Sequence, residues 1–217
     1  MTGRLILKYY PVFLDICGKK CVVAGGGEVA ARKVTRLLDC GAQVLVVSPQ
    51  LTPELTALKA ESAIEHVAAG YDIQFIEGAV LIIGATDDEK TNAAISSDAR
   101  SRGIPVNIVD DPQKCDFILP SLVERGDLTL AIGTGGKSPA LARYLREELE
   151  SVYGMEYANL LNILGQLRGK MEKNAGRGRV WFDELLAGGL LDAIRKNDAG
   201  RVKKIIRDIT GEEVHID

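Results

Sequence analysis

Three glycines set between an apolar run and an amphipathic stretch are the part of this chain best suited to chemistry. In Cys21-Val22-Val23-Ala24-Gly25-Gly26-Gly27-Glu28-Val29-Ala30, Gly25, Gly27 and Ala30 satisfy the spacing G-x-G-x-x-G/A. The first glycine permits a tight turn, the second lets backbone approach a pyrophosphate, and the third small residue lets a helix pack close to its strand. Amides at the start of that helix, with the positive end of its dipole, supply donors for an anion. A dinucleotide is the expected ligand. The acidic residue that often bonds the adenosine ribose after the second strand is absent, and Ser48-Pro49-Gln50 stands in its place. Ser48 and Gln50 are therefore the candidate ribose partners, and the lack of an adjacent arginine for a 2′-phosphate favours NAD over NADP. The alternative is that Ser48-Pro49 is a plain turn.

Other polar residues fall where strands should end. The apolar run at 79–86 passes into Thr86-Asp87-Asp88, and the run at 104–109 into Asp110-Asp111-Pro112. The carboxyl rim of an open α/β sheet is where ligands bind, so Thr86 and Asp110 are placed for function. Thr86, Asp87 and Asp88 also suit a helix N-cap, and Asp110-Asp111-Pro112 a strand-ending turn. A second glycine-rich stretch, Gly133-Thr134-Gly135-Gly136-Lys137-Ser138-Pro139, offers backbone amides, Thr134, Lys137 and Ser138 to a second anion, or serves as a linker.

The elements that must position these residues follow from periodicity. Val29, Ala30, Val34, Leu37 and Leu38 recur at helical spacing before a stop at Gly41, and Gln43 to Ser48 closes a βαβ unit. Thr52-Pro53-Glu54 opens a short helix through Lys59. A strand is expected at 64–67, then a nearly continuous apolar strand at 79–86, as in a parallel sheet covered on both faces. A helix at 89–102 ends at Gly103, and a fifth strand spans 104–109. Phe117-Ile118-Leu119-Pro120 and Leu128 to Ile132, joined through Glu124-Arg125-Gly126-Asp127, look like a hairpin outside that sheet. Ser138 and Pro139 suit the N-cap and N1 of a helix over 140–150. The tail from Met155 is helical in pattern, with a linker-like segment at 174–178 and apolar stripes that read as core or dimer contacts.

At 217 residues with 46% hydrophobic and 26% charged content, the chain has the composition of an ordinary soluble globular protein. A net charge of −3 argues against a nucleic-acid binder, which needs a basic surplus. The four cysteines show no Cys-x-x-Cys spacing and read as reduced core or boundary residues, and two histidines leave a structural zinc or other metal site unexpected. With no membrane-length apolar run and no signal-peptide core at the start, a cytoplasmic location and no membrane partner are expected.

Five ordered segments together resemble one family: Gly25 to Lys33, Ala85-Thr86-Asp87-Asp88, Asn107 to Pro112, Phe117-Ile118-Leu119-Pro120-Ser121, and Gly135 to Arg143. They are similar to the precorrin-2 dehydrogenases of sirohaem synthesis, a family that includes the amino-terminal module of the fused sirohaem synthases. The resemblance implies oxidation of precorrin-2 to sirohydrochlorin with NAD, and in bifunctional members insertion of ferrous iron. It implies a Rossmann-like NAD-binding domain over 1–113, a dimerisation segment with the glycine loop over 114–150, a helical C-terminal domain over 151–217, and a homodimer. The family's essential aspartate falls on Asp110, and its cofactor contacts on the glycine turn with Glu28 and Val29 and on Pro49 and Gln50. Where fused enzymes carry a modifiable serine, this chain has Thr134.

The chemistry suits the residues, because removing a hydride and a proton from a reduced tetrapyrrole requires a base beside the nicotinamide. A substrate with eight carboxylate arms needs donors, and Asn107, Lys114, Thr134, Lys137, Ser138 and Arg143, with the amides of Gly135 and Gly136, are the candidates. The rival is a regulatory module that senses NAD without catalysis. It has no use for Asp110 or the second glycine loop.

Overall fold

The computed structural model describes residues 8–173 and 178–216. The chain divides into two compact units, the first ending at Leu119 and the second beginning at Pro120.

In the first unit β1 (Lys20–Ala24), β2 (Gln43–Val47), β3 (Ile64–Val67), β4 (Leu81–Gly84) and β5 (Val106–Ile108) form one parallel sheet in the order β3-β2-β1-β4-β5. The expected Rossmann-like α/β class is the one observed. Chain order reverses at β1, which has β2 on one side and β4 on the other, and this switch opens a crevice at the carboxyl rim. Side chains of β1 alternate between two cores. Cys21 and Val23 face one core with Ala30, Ala31, Val34 and Leu37 of α1 (Glu28–Asp39), whereas Val22 and Ala24 face the other with Ile95 and Ala99 of α3 (Glu89–Ser101). Burial on both faces explains the unbroken apolar runs. α2 (Pro53–Ala60) begins as its sequence indicates, with Pro53 at N1 and Thr52 Oγ1 accepting from the Leu55 amide at 3.4 Å.

Strand β5 ends the sheet, and an uncovered edge invites unwanted pairing. Residues after Asp110 fold back over it. The Asp116 amide donates to the Val106 carbonyl at 2.8 Å, the Asp116 carboxylate accepts from the Val106 amide at 3.3 Å, and the Cys115 thiol accepts from the Ile108 amide at 3.2 Å. Arg100 of α3 fixes Asp116 through a 3.0 Å ion pair.

The second unit opens with a hairpin of β6 (Ser121–Arg125) and β7 (Leu128–Ile132). This corrects the placement of its first strand at 117–120. Phe117 packs instead against the first unit's core, its carbonyl accepts from the Asn107 side chain at 3.0 Å, and the chain turns only at Gly126-Asp127. Among the described residues five helices follow: α4 (Pro139–Val152), α5 (Glu156–Lys173), α6 (Gly178–Ala187), α7 (Leu190–Arg195) and α8 (Ala199–Thr210). Leu160, Ile163 and Leu167 of α5 pack with Leu185, Leu190, Ile194, Val202 and Ile206 in one core, as the stripes indicate. Of the linker-like segment at 174–178, residues 174–177 lie outside the described residues. Among the described residues no helix is long and apolar enough to cross a membrane.

Candidate active site at the carboxyl rim of the sheet

The three glycines of the β1–α1 turn have three different reasons to be glycine. Gly25 has φ +129°, and a Cβ there would lie 2.2 Å from the carbonyl oxygen of Ala85. At Gly26 a Cβ would meet the Gln50 carbonyl oxygen at 1.9 Å and Ser48 Oγ at 2.6 Å. At Gly27 it would meet nothing within 4 Å. The first two let the loops after β4 and β2 close in around the turn, while the third faces open space. Gly27 is also the N-cap of α1 and brings no side-chain cap, so the first-turn amides, which have no partner within a helix, are left for an outside acceptor. That open cradle fits the pyrophosphate of a dinucleotide. Glu28 is exposed and Val29 half-buried in this first turn.

Backbone bonds carry the ladder past the strands and fix the rim. The Gly25 amide donates to the Val47 carbonyl at 2.9 Å, the Ala85 amide to the Ala24 carbonyl at 2.8 Å, and the Val109 amide to the Gly84 carbonyl at 2.9 Å. The structure therefore brings together the glycine turn, Pro49 and Gln50 after β2, Thr86 after β4 and Asp110 after β5 on one edge of the sheet.

Within that rim several predicted ligands do another job. Ser48 is buried, 8% exposed, and donates to the Gln50 carbonyl at 2.7 Å. It shapes the loop, leaving exposed Gln50 and Pro49 at the surface where a ribose would lie. Thr86 donates through its hydroxyl to Asn92 Oδ1 at 2.9 Å, and Asn92 Nδ2 returns a bond to the Thr86 carbonyl at 2.9 Å. This clasp orients the loop that lies against Gly25, and Asp88 serves as the N-cap of α3. Asn107, expected to meet substrate, points inward: it is 9% exposed and its amide is committed to the Phe117 carbonyl. Lys114 is likewise engaged, by Asp111 at 2.6 Å and Glu89 at 3.7 Å, and its bond holds the Asp111 carboxyl below the usual carboxylate range. Both groups are engaged within the protein, by hydrogen-bonding needs that spacing does not reveal.

Asp110 is exposed and has φ +60°. It sits third in a four-residue turn closed by the Asp111 amide on the Ile108 carbonyl at 3.2 Å. Positive φ at that position of a type II turn normally selects glycine or asparagine, so an aspartate here is held against its preference, as functional residues often are. Half-buried Lys33 of α1 senses this carboxylate. Burial lowers the Lys33 ammonium below the usual lysine range, Arg32 adds to the lowering, and the charge of Asp110 opposes it.

Two supports were not apparent in the sequence. His66 on β3 bonds the Ser48 carbonyl through Nε2 at 2.9 Å, while Lys59 Nζ lies 3.2 Å from Nδ1. Since an ammonium only donates, Nδ1 accepts and the Nε2–H braces the Ser48 loop. Ser96, buried in α3, donates to the Lys114 carbonyl at 3.1 Å. Alternation along β3 would have signalled His66; nothing local marks Ser96.

In the second unit Thr134 Oγ1 donates to the Ser138 carbonyl at 3.1 Å and accepts from the Ser138 amide at 3.3 Å. Ser138 caps α4 by accepting from the Leu141 amide at 3.1 Å. Gly135 and Gly136 have φ +62° and +78°, and Lys137 and Arg143 are exposed.

Comparison with known proteins agrees with this geometry. Residues 12–121 match the family described as putative NAD(P)-binding, and residues 125–151 match the sirohaem biosynthesis protein central family. The siroheme synthase of Methylobacillus flagellatus is 40% identical over 82% of this chain and 39% of its own length. That of Thioalkalivibrio sulfidiphilus is 41% identical over 90% of this chain and 41% of its own length. The chain thus spans about two fifths of the curated relatives it matches. A solved structure titled SirC, precorrin-2 dehydrogenase, superposes with a TM-score of 0.76 at 24% identity, covering 94% of this chain and 100% of that one, which shows a shared fold. The NAD(P)-binding match supports NAD as cofactor, and the siroheme synthase relatives agree with the resemblance, read from the sequence, to a family that includes the fused sirohaem synthases. The chain belongs to the putative NAD(P)-binding family, in a form that continues into the central segment of sirohaem biosynthesis proteins.

Proposed function

We propose that this chain oxidises precorrin-2 to sirohydrochlorin with NAD, and that Asp110 is the base. One observation carries the reading: an exposed carboxylate in an unfavourable backbone conformation on the same sheet rim as a glycine turn open to a pyrophosphate.

When bound, NAD would supply the acceptor for a hydride from one C–H bond of the macrocycle. The second hydrogen leaves as a proton and is taken by an Asp110 carboxylate oxygen. The Gly25–Gly27 turn and the first amides of α1 would hold the pyrophosphate, with Glu28 and Val29 in the same first turn. Pro49 and Gln50 would flank the ribose, and the loop of Thr86, clasped by Asn92, lies against Gly25. Thr134, Lys137, Ser138 and Arg143, with the amides of Gly135 and Gly136, are the donors proposed for substrate carboxylates. The working form is proposed to be a homodimer in the cytoplasm.

The test mixes the protein with precorrin-2 and either NAD or NADP and follows absorbance of the reduced nicotinamide. Turnover with a preference for NAD is expected. Cofactor binding without turnover would instead favour the regulatory reading. Ferrous iron insertion into the product, with Asp110 accepting the pyrrole protons, is the finer proposal. It requires sirohaem formation above the spontaneous rate.

A further inference from the structure

The loop that presents Asp110 is wrapped around one buried thiol. Cys115 Sγ accepts from the Ile108 amide at 3.2 Å, and its S–H has two carbonyl acceptors in reach, Asp111 at 3.1 Å and Ile108 at 3.2 Å. The Asn107 amide approaches the same sulfur at 3.6 Å. These partners bracket Asp110 on both sides, and 9% exposure keeps water from replacing them. Burial raises the thiol above its usual range, which preserves the S–H donor at neutral pH. Asp110 itself has no hydrogen-bond partner among the described residues, so its backbone conformation limits where the carboxylate can reach. A positive φ on a non-glycine residue relaxes unless its neighbours are pinned.

We propose that Cys115 is a positioning residue for the dehydrogenation: its thiol pins Ile108 and Asp111 and thereby holds Asp110 in the left-handed conformation that aims the carboxylate at substrate. The inference rests on Asp110 being the base. Neither the dinucleotide cradle nor the second unit contributes to the thiol's bonds, so its loss acts on proton removal and leaves cofactor binding unchanged.

The test is a double-mutant cycle on the full chain. Cys115→Ala is expected to lower kcat about tenfold, within the losses that small misplacements of reacting groups produce, with NAD affinity by titration calorimetry unchanged. Cys115→Ser keeps a donor and an acceptor and is expected to recover part of the loss. In an Asp110→Asn background Cys115→Ala should cost nothing further, because coupled residues do not add. Faster hydrogen exchange at the Ile108 amide in Cys115→Ala is the readout independent of turnover. Equal losses from Cys115→Ala with and without the Asp110 carboxylate, or full activity in Cys115→Ala, would overturn the proposal while leaving Asp110 as the base. Full activity in Asp110→Asn would overturn both. Weakened NAD binding in Cys115→Ala, unmatched in Cys115→Ser, would make the thiol a general support of the fold and overturn it as well.

Discussion

The α-carbon of Gly25 is oriented so that a methyl group on it would sit 2.2 Å from the carbonyl oxygen of Ala85. The crevice between β1 and β4 is therefore shaped by the backbone of two loops in near contact, and only hydrogen fits at residue 25. Gly27, two residues on, has no such neighbour. Gly25→Ala should lower the thermal midpoint, combining the clash with backbone strain of roughly 1–3 kcal/mol. Gly27→Leu should keep the midpoint and lose NAD binding, because its side chain enters the pyrophosphate space. Melting curves paired with calorimetric titration separate these effects, and an intact Gly25→Ala protein that binds NAD normally would contradict the assignment.

Asp110 trades stability for function. Glycine accepts φ +60° without the Cβ penalty, so Asp110→Gly should stabilise the chain by about 1 kcal/mol while abolishing dehydrogenation. Denaturant unfolding measures the first effect and NADH formation the second. A destabilised Asp110→Gly would mean that the turn is not strained.

The Asp111–Lys114 pair makes the same loop acid-sensitive. Asp111 has its folded-state pKa depressed, chiefly by the bond from Lys114. Its contribution is fully present above the unfolded carboxyl value and is lost as pH falls through the depressed folded value. Asp111→Asn should therefore melt below the unmodified protein at neutral pH, and the gap should close on acidification below about pH 3.9, the ordinary aspartate value. A gap that widens in acid would reverse the sign of this account.

His66 braces the Ser48 carbonyl, in the loop proposed to flank the cofactor ribose. Losing one such hydrogen bond costs on the order of 1 kcal/mol, so His66→Phe should weaken NAD binding about fivefold with kcat unchanged. Unaltered affinity by calorimetry would show that the loop after β2 needs no brace.

Much of this site was legible from residue order. The glycine spacing, the apolar strands and the polar residues at their ends marked the rim because backbone sterics and burial on two faces constrain those positions directly. Thr52, Asp88 and Ser138 announced their helices because each lies within a few residues of the amide it caps. What stayed hidden depends on partners distant in sequence or on local geometry. The internal bonds of Ser48 to the Gln50 carbonyl and of Asn107 to the Phe117 carbonyl answer the need of a buried polar group for a partner, and no local pattern announces them. Cys115 looks like plain core, and only its bonds around the β5 turn distinguish it. The hairpin's first strand starts at Ser121, four residues after its apolar pattern begins, because Phe117 and Ile118 are as apolar as a strand while the packing of Phe117 into the first unit's core is not written in the local pattern.

Turnover of Asp110→Asn is the most direct trial of the mechanism, since the substitution preserves shape and tolerance of positive φ and removes only the basic carboxylate. With NAD affinity and melting temperature held at their unmodified values, NADH formation from precorrin-2 should fall about 10²- to 10⁴-fold, the range for loss of a general base. A folded, NAD-bound Asp110→Asn protein that oxidises precorrin-2 at the unmodified rate would contradict it.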